Sequence, residues 1–237
     1  HGETRNLGAP NADGDYILFT VQDALPIGKY WLYMLVTALE ADEQLAAVTC
    51  RQIPSSDADL FACFSLWHHY TVTLQFYEDR VFSGGDTFDA LPVDEKRRRA
   101  GLEDVCCCIK KEIFDQYRFK RIQSSEDLDL GIRLMQGGYK LGYLFSAGVI
   151  HSHNRNPDYF LKRSYIDTKT VSKIVGFNSQ EVCDGCSMNE IIGSILTLYA
   201  ALNDLATRAD YLSFNASPNI LIQKITIYMR DYIANKP

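Results

Sequence analysis

The chain has no run of about 18 or more apolar residues, so no segment reads as a membrane-spanning helix. It has no internal repeat and no low-complexity tract. Positive charge is in short supply: 24 Lys and Arg against 30 Asp and Glu leave a net charge of −6, which argues against a dedicated nucleic-acid binder. Residues 1–5 are polar and lack the apolar stretch of a signal peptide. Cys183-Asp184-Gly185-Cys186 has no second CxxC and no nearby His, so it reads as a turn with two incidental thiols rather than a zinc site. Seven cysteines are an odd number without a small disulfide framework, and we read them as reduced thiols of a cytoplasmic protein. No dense carboxylate and His cluster for two metals is evident, which disfavours a phosphohydrolase.

What is present suits a globular protein. With 237 residues, 46% hydrophobic and 23% charged, the chain can bury one substantial core with an appendage. Its organising stretch is residues 124–130, SSEDLDL. Glu126 and Asp127 open an apolar-periodic run of Leu128, Leu130, Ile132, Leu134 and Met135 that continues to Gly137 and Gly138. Ser124 or Ser125 is expected to cap that helix. The two carboxylates then sit in its first turn, where the helix dipole favours anions. Ordinary helices also start with Ser and acidic residues, so the stretch acquires meaning only from its neighbours.

Those neighbours are two strands with polar ends. Residues 16–21 form a continuous apolar strand followed by Gln22 and Asp23, and residues 139–150 form strand-like runs ending in His151-Ser152-His153-Asn154. Ligands in open α/β sheets bind beyond the carboxyl ends of strands. Asp23 could equally be a turn former before Leu25-Pro26, and a single His at a strand end is more often structural.

The segments GETRNLGAPNADGDYILFTVQDALP, CRQIP, CCCIKKEIFDQYRF, SSEDLDLGIRLMQGGYKLGY and AGVIHSHNRNPDYFLKRSY, spread over about residues 1–165, resemble the inverting family-two glycosyltransferases of the GT-A fold. The likeness is greatest to bacterial rhamnosyltransferase-type members. It implies a Rossmann-like α/β fold with a mixed, mostly parallel sheet flanked by helices. It divides the chain into a catalytic domain over residues 1–167 and a C-terminal helical extension over residues 168–237. It also implies a first βαβ portion before residue 1, carrying much of the nucleotide-base pocket.

By the same resemblance Asp127 is the general base, and Glu126 holds the acceptor or positions Asp127. Adjacent carboxylates repel, which raises the pKa of one of them. Gln22 and Asp23 stand where the family has an Asp-x-Asp metal motif. Gln22 supplies no charge, so Asp23 needs another ligand to bind Mg²⁺ or Mn²⁺ on a diphosphate. His151 is the first candidate for that ligand and His153 the alternative. Arg5 and Asn6 match an Arg-Asn pair and, with Gln22 and Asp23, are assigned to the donor diphosphate. The implied partners are a nucleotide-sugar donor, with dTDP-rhamnose first, and a glycan or lipid-linked acceptor.

The remaining features are open to two readings each. Trp67 either faces the acceptor or packs at a rim. Lys96-Arg97-Arg98-Arg99 is either a solvated face or a contact with an anionic membrane surface or lipid-diphosphate acceptor. Residues 82–93, with Gly84, Gly85 and Pro92, are expected to form a mobile loop. Helical periodicity at residues 191–205 and again after Pro218 predicts helices that pack on the catalytic unit or on a second subunit. The expectation is therefore a cytoplasmic glycosyltransferase, peripheral at the inner membrane face and a candidate homo-oligomer. The alternative is a non-catalytic scaffold on a degenerate GT-A fold.

Overall fold

The structure, a computed structural model, describes residues 1–176 apart from a few side chains, Trp67 among them. Cys183, Cys186, the helices expected at residues 191–205 and after Pro218, and most of the expected extension lie outside the described residues.

The elements run α1 (Gly2–Gly8), β1 (Tyr16–Thr20), β2 (Leu25–Pro26), α2 (Trp31–Glu40), β3 (Leu45–Ile53), α3 (Leu60–His68), β4 (Arg80–Ser83), α4 (Val93–Ala100), β5 (Cys106–Lys110), α5 (Lys111–Tyr117), α6 (Glu126–Gln136), β6 (Lys140–Ile150) and α7 (Pro157–Val175). Strand order is β1-β5-β3-β6-β2, and β4 also pairs with β6. The class is mixed α/β, as expected. Its mostly parallel character narrows to one pair among the described residues, β3 with β6, while β5 pairs antiparallel with both β1 and β3. An apolar run marks a strand buried on both faces but not the direction of its neighbour. Because β5 is reversed between them, β1, β3 and β6 still point the same way, and their carboxyl ends share one end of the sheet.

Alternation along the strands feeds two cores. Ile17, Phe19, Cys107, Ile109, Leu141 and Tyr143 face α5 and α6 through Phe114, Leu130 and Leu134. Val48, Cys50, Cys106, Cys108, Leu144 and Val149 face α2 through Trp31, Leu35 and Leu39. Side chains two apart share a face, so each strand supplies both layers. Helix α2 starts at Trp31 and buries Trp31, Leu35 and Leu39, while Leu32 is 49% exposed. The described cysteines 50, 63, 106, 107 and 108 are all free thiols.

Two local expectations are corrected. Residues 82–93 are not an open loop: β4 pairs with β6, a 3₁₀ turn spans Phe88–Ala90, and Phe88 is buried. Gly84 lies so close to α6 that a Cβ there would stand 2.1 Å from the Met135 carbonyl oxygen. The α6 N-cap is Ser125, but in left-handed backbone (φ 60°) and with no side-chain capping bond. The basic cluster lies in α4, where Arg98 and Arg99 pair with Glu95. Helix α7, capped by Asn156 with Pro157 in its first turn, runs unbroken through the expected domain boundary at residues 167/168.

Candidate active site

Three strand ends and one helix start build the site. Thr20 at the end of β1 pairs with Cys106 at the start of β5, and Thr49 of β3 pairs with Cys107. The segment before β5, carrying Glu103 and Asp104, therefore lies at the same end of the sheet as Asp23 after β1 and Gln52 in β3. There the Thr49 hydroxyl donates to the carbonyls of Cys106 (2.7 Å) and Glu103 (3.4 Å). A register shift in β6 between the Cys50–Leu144 and Arg51–Gly148 pairs lets the strand resume beside β3 up to Ile150. The His151 N–H then donates to the Ile53 carbonyl at 3.0 Å, which fixes His151 beside the end of β3.

Asp23, His151 and His153 each offer a ligand atom, and these atoms lie within 4.8 Å of one another. The Asp23 oxygens stand 3.6 Å from His151 Nε2 and 3.6 Å from His153 Nε2. Burial lowers the His151 pKa, and Asp23 opposes that only in part, so the neutral ring is favoured. His151 Nδ1 is 2.7 Å from Gln52 Oε1, which leaves Nε2 for the Asp23 side. A carboxylate and two imidazole nitrogens are donor types that fit a divalent cation and would leave it a residual positive charge for an anionic ligand. Both histidines weighed from the sequence are thus brought beside Asp23.

Asp127 lines a cleft of about 420 Å³ together with Arg5, Gln52, Glu103, Asp104 and Glu126, a volume in the range of small-molecule sites. Its Oδ1 accepts from the Leu128 N–H at 2.8 Å and its Oδ2 from the Asp104 N–H at 3.4 Å. Burial first, then the charges of Asp104 and Glu126, push its pKa up to about 7. A carboxylate so tuned can take a proton near neutral pH. Gln52 belongs to the wall of this cleft and also bonds His151, so it joins the Asp127 cavity to the Asp23 group.

The other expected residues sort differently. Arg5 pairs with Asp104 at 2.6 Å and with Glu126 at 3.3 Å, so its charge is engaged within the cleft wall. Asn6 does not face the site. Its amide nitrogen donates to the Phe119 carbonyl (2.8 Å) and its oxygen accepts from the Phe119 N–H (3.1 Å), which ties α1 to the segment after α5. Gln22 is exposed beside Asp23. The Trp67 side chain is outside what the structure describes.

Sequence reading missed Glu103 and Asp104, and by resemblance placed residues 51–54 over the acceptor side without giving Gln52 a role of its own. Glu103 is buried, bonded by His69 Nε2 (2.6 Å), the Tyr70 hydroxyl (2.6 Å) and Gln52 Nε2 (2.7 Å). Burial alone would raise its pKa, but His69 and these hydrogen bonds outweigh it and hold the pKa below the usual value. The one sequence signal was two acids, Glu103 and Asp104, directly before an apolar strand.

No protein-family model matches the chain. It is similar to the O-antigen chain rhamnosyltransferase WbaN of Salmonella anatum, 29% identical over 179 residues that cover 71% of this chain and 50% of that protein. It is similar to the O-antigen chain rhamnosyltransferase RfbN of Salmonella typhimurium, 28% identical over 171 residues that cover 71% and 51%. The chain is thus rhamnosyltransferase-like in sequence, and it spans about half the length of the curated relatives it matches. Among solved structures, the mannosyltransferase PcManGT from Pyrobaculum calidifontis in complex with GDP-Man and Mn²⁺ aligns with a TM-score of 0.49 and 12% identity, covering 96% of this chain and 65% of that one. That likeness is too remote to transfer residues or ligands.

Proposed function

We propose that the protein is a metal-dependent, inverting glycosyltransferase that moves a sugar from a nucleoside diphosphate to a hydroxyl of a glycan or lipid-linked acceptor. The observation that carries the reading is the meeting of Asp23, His151 and His153 at the sheet end where Asp127 lines a cleft. Rhamnose is the first donor sugar to test, because the curated relatives are named for rhamnosyl transfer to an O-antigen chain.

Asp23, His151 and His153 would hold Mn²⁺ or Mg²⁺; nitrogen ligands tilt the choice towards Mn²⁺. Such a cation would neutralise charge on the diphosphate. Asp127 takes the proton of the acceptor hydroxyl. The acceptor oxygen forms its bond to the anomeric carbon as the bond to the diphosphate oxygen breaks, and the diphosphate leaves with that electron pair. Attack opposite the leaving group inverts the anomeric centre. Arg5 holds Asp104 and Glu126 beside the base and keeps their negative charges fixed next to it.

Residues 1–167 as the catalytic unit, with the rest as an extension, complete the reading. Placement in the cytoplasm at an inner membrane face is part of it. The run of arginines in α4 is the feature that would meet an anionic surface there.

The test is release of sugar from dTDP-rhamnose with Mn²⁺, with and without glycan acceptors. Wild type is expected to turn over, and Asp127→Asn to lose about 10²- to 10⁴-fold, the usual contribution of a general base. Equal rates would remove Asp127 as the base. No heat on titrating nucleotide sugars with Mn²⁺ would favour a non-catalytic scaffold.

A further inference from the structure

The polar chain behind His151 has a direction. Glu103 is 8% exposed and holds three hydrogen bonds, from His69, Tyr70 and Gln52. A carboxylate only accepts. The end of Gln52 that faces Glu103 at 2.7 Å must therefore be the NH₂, and the end that faces His151 must be the carbonyl oxygen. A carbonyl oxygen also only accepts, so His151 Nδ1 must carry the proton. In a neutral ring this leaves Nε2 as a bare lone pair, on the side where Asp23 stands. The backbone secures the same arrangement: the Gln52 N–H donates to the Tyr70 hydroxyl at 2.8 Å, and that hydroxyl donates to Glu103 at 2.6 Å.

We propose that Gln52 and Glu103 are positioning residues that lock His151 in its Nδ1–H tautomer and present Nε2 to the cation that holds the donor diphosphate. The cation is taken from the function proposed above; the tautomer stands on the hydrogen bonds alone. A ligand histidine whose other nitrogen donates to a fixed acceptor binds metal more tightly, and loss of such an acceptor typically weakens binding about 10- to 100-fold. A purely structural role for the cluster would fix the same proton but would leave Mn²⁺ affinity unchanged when the acceptor is removed.

The experiment is ¹⁵N–¹H correlation of histidine-labelled protein at a pH where the ring is neutral, with His151 assigned by its loss in His151→Gln, alongside Mn²⁺ titration by electron paramagnetic resonance. Wild type is expected to show His151 as the Nδ1–H tautomer; the Nε2–H tautomer there would overturn the proposal with no variant needed. Gln52→Met keeps the volume and removes the acceptor. It is expected to shift His151 towards the Nε2–H tautomer and to weaken Mn²⁺ binding about 10- to 100-fold. The exchanged pair Gln52→Glu with Glu103→Gln reverses the bond between positions 52 and 103 but keeps an acceptor-only group facing His151 Nδ1, and is expected to restore both readouts. An unchanged tautomer and unchanged Mn²⁺ affinity in Gln52→Met would refute the positioning role while leaving the cation site intact. A tautomer that responds in a protein that binds no Mn²⁺ would keep the positioning role and remove the cation.

Discussion

Asp127 occupies a position that opposes its own ionisation. Burial and the neighbouring charges of Asp104 and Glu126 raise its pKa to about 7, so at neutral pH the folded protein carries a carboxylate at its titration point. Two outcomes follow. Transfer needs the deprotonated base, so its rate should rise with pH through about 7 and lose that limb in Asp127→Asn, read from a pH–rate profile. Stability has the opposite sign. A carboxylate whose pKa is raised on folding favours the folded state below its unfolded pKa and loses that contribution as pH rises through the folded value. Asp127→Asn should therefore melt above wild type at about pH 8, with the difference gone by about pH 3, below both pKa values, where both states are protonated. A variant that is less active and less stable at about pH 8 would point to a packing role instead.

At this scale the sequence was readable where a side chain's meaning is local. Glu126 and Asp127 announce a helix start, and Asp23 and His151 announce strand ends. Gln52 and Glu103 were not readable, because their roles come from partners 99 and 51 residues away. The same holds for Asn6, assigned to the donor from its neighbour Arg5 but engaged 113 residues away at Phe119.

Among the elements, α6 carries Asp127, the proposed base, and must be held in place for that role. Gly131 on its buried side approaches the end of α4 so closely that a Cβ would stand 1.9 Å from the Ala100 carbonyl oxygen. Backbone cannot yield there without moving α4 or α6. Gly131→Ala, normally a favourable change inside a helix, should destabilise by about 1–3 kcal/mol through overpacking. That lowers Tm by several degrees at roughly 2–4 °C per kcal/mol for a protein of this size. A thermal melt followed by circular dichroism checks it, and an unchanged or higher Tm would contradict the close approach. The apolar spacing of α6 and its Gly137-Gly138 end were plain in the sequence. The left-handed Ser125 at its start was not, because capping preference says nothing about a turn imposed by tertiary contacts. Likewise an apolar run shows that β5 is buried but not that it is antiparallel.

For the whole molecule, the balance of charge sets the problem that the site answers. In the proposed function a chain with net charge −6 must attract an anionic donor, and five carboxylates, Glu103, Asp104, Glu126, Asp127 and Asp167, line the cleft beside Arg5, Arg97 and Arg163. Arg5 offsets Asp104 and Glu126. A divalent cation at Asp23, His151 and His153 would supply the remaining positive charge beside them. The direction shared by β1, β3 and β6 makes this feasible, since it gathers residues from distant parts of the chain at one end of one sheet.

The convergence can be measured with Mn²⁺ as a paramagnetic probe on ¹⁵N-labelled protein. The account predicts that Mn²⁺ broadens the amide signals of His151, Asp104 and Leu128 together. Leu45 and Lys140, paired at the opposite sheet end and roughly 26 Å along the strand at 3.3 Å per residue, should stay sharp, and Asp23→Ala should abolish the effect. Broadening centred at the Leu45 end, or at His151 without Asp104 and Leu128, would contradict it.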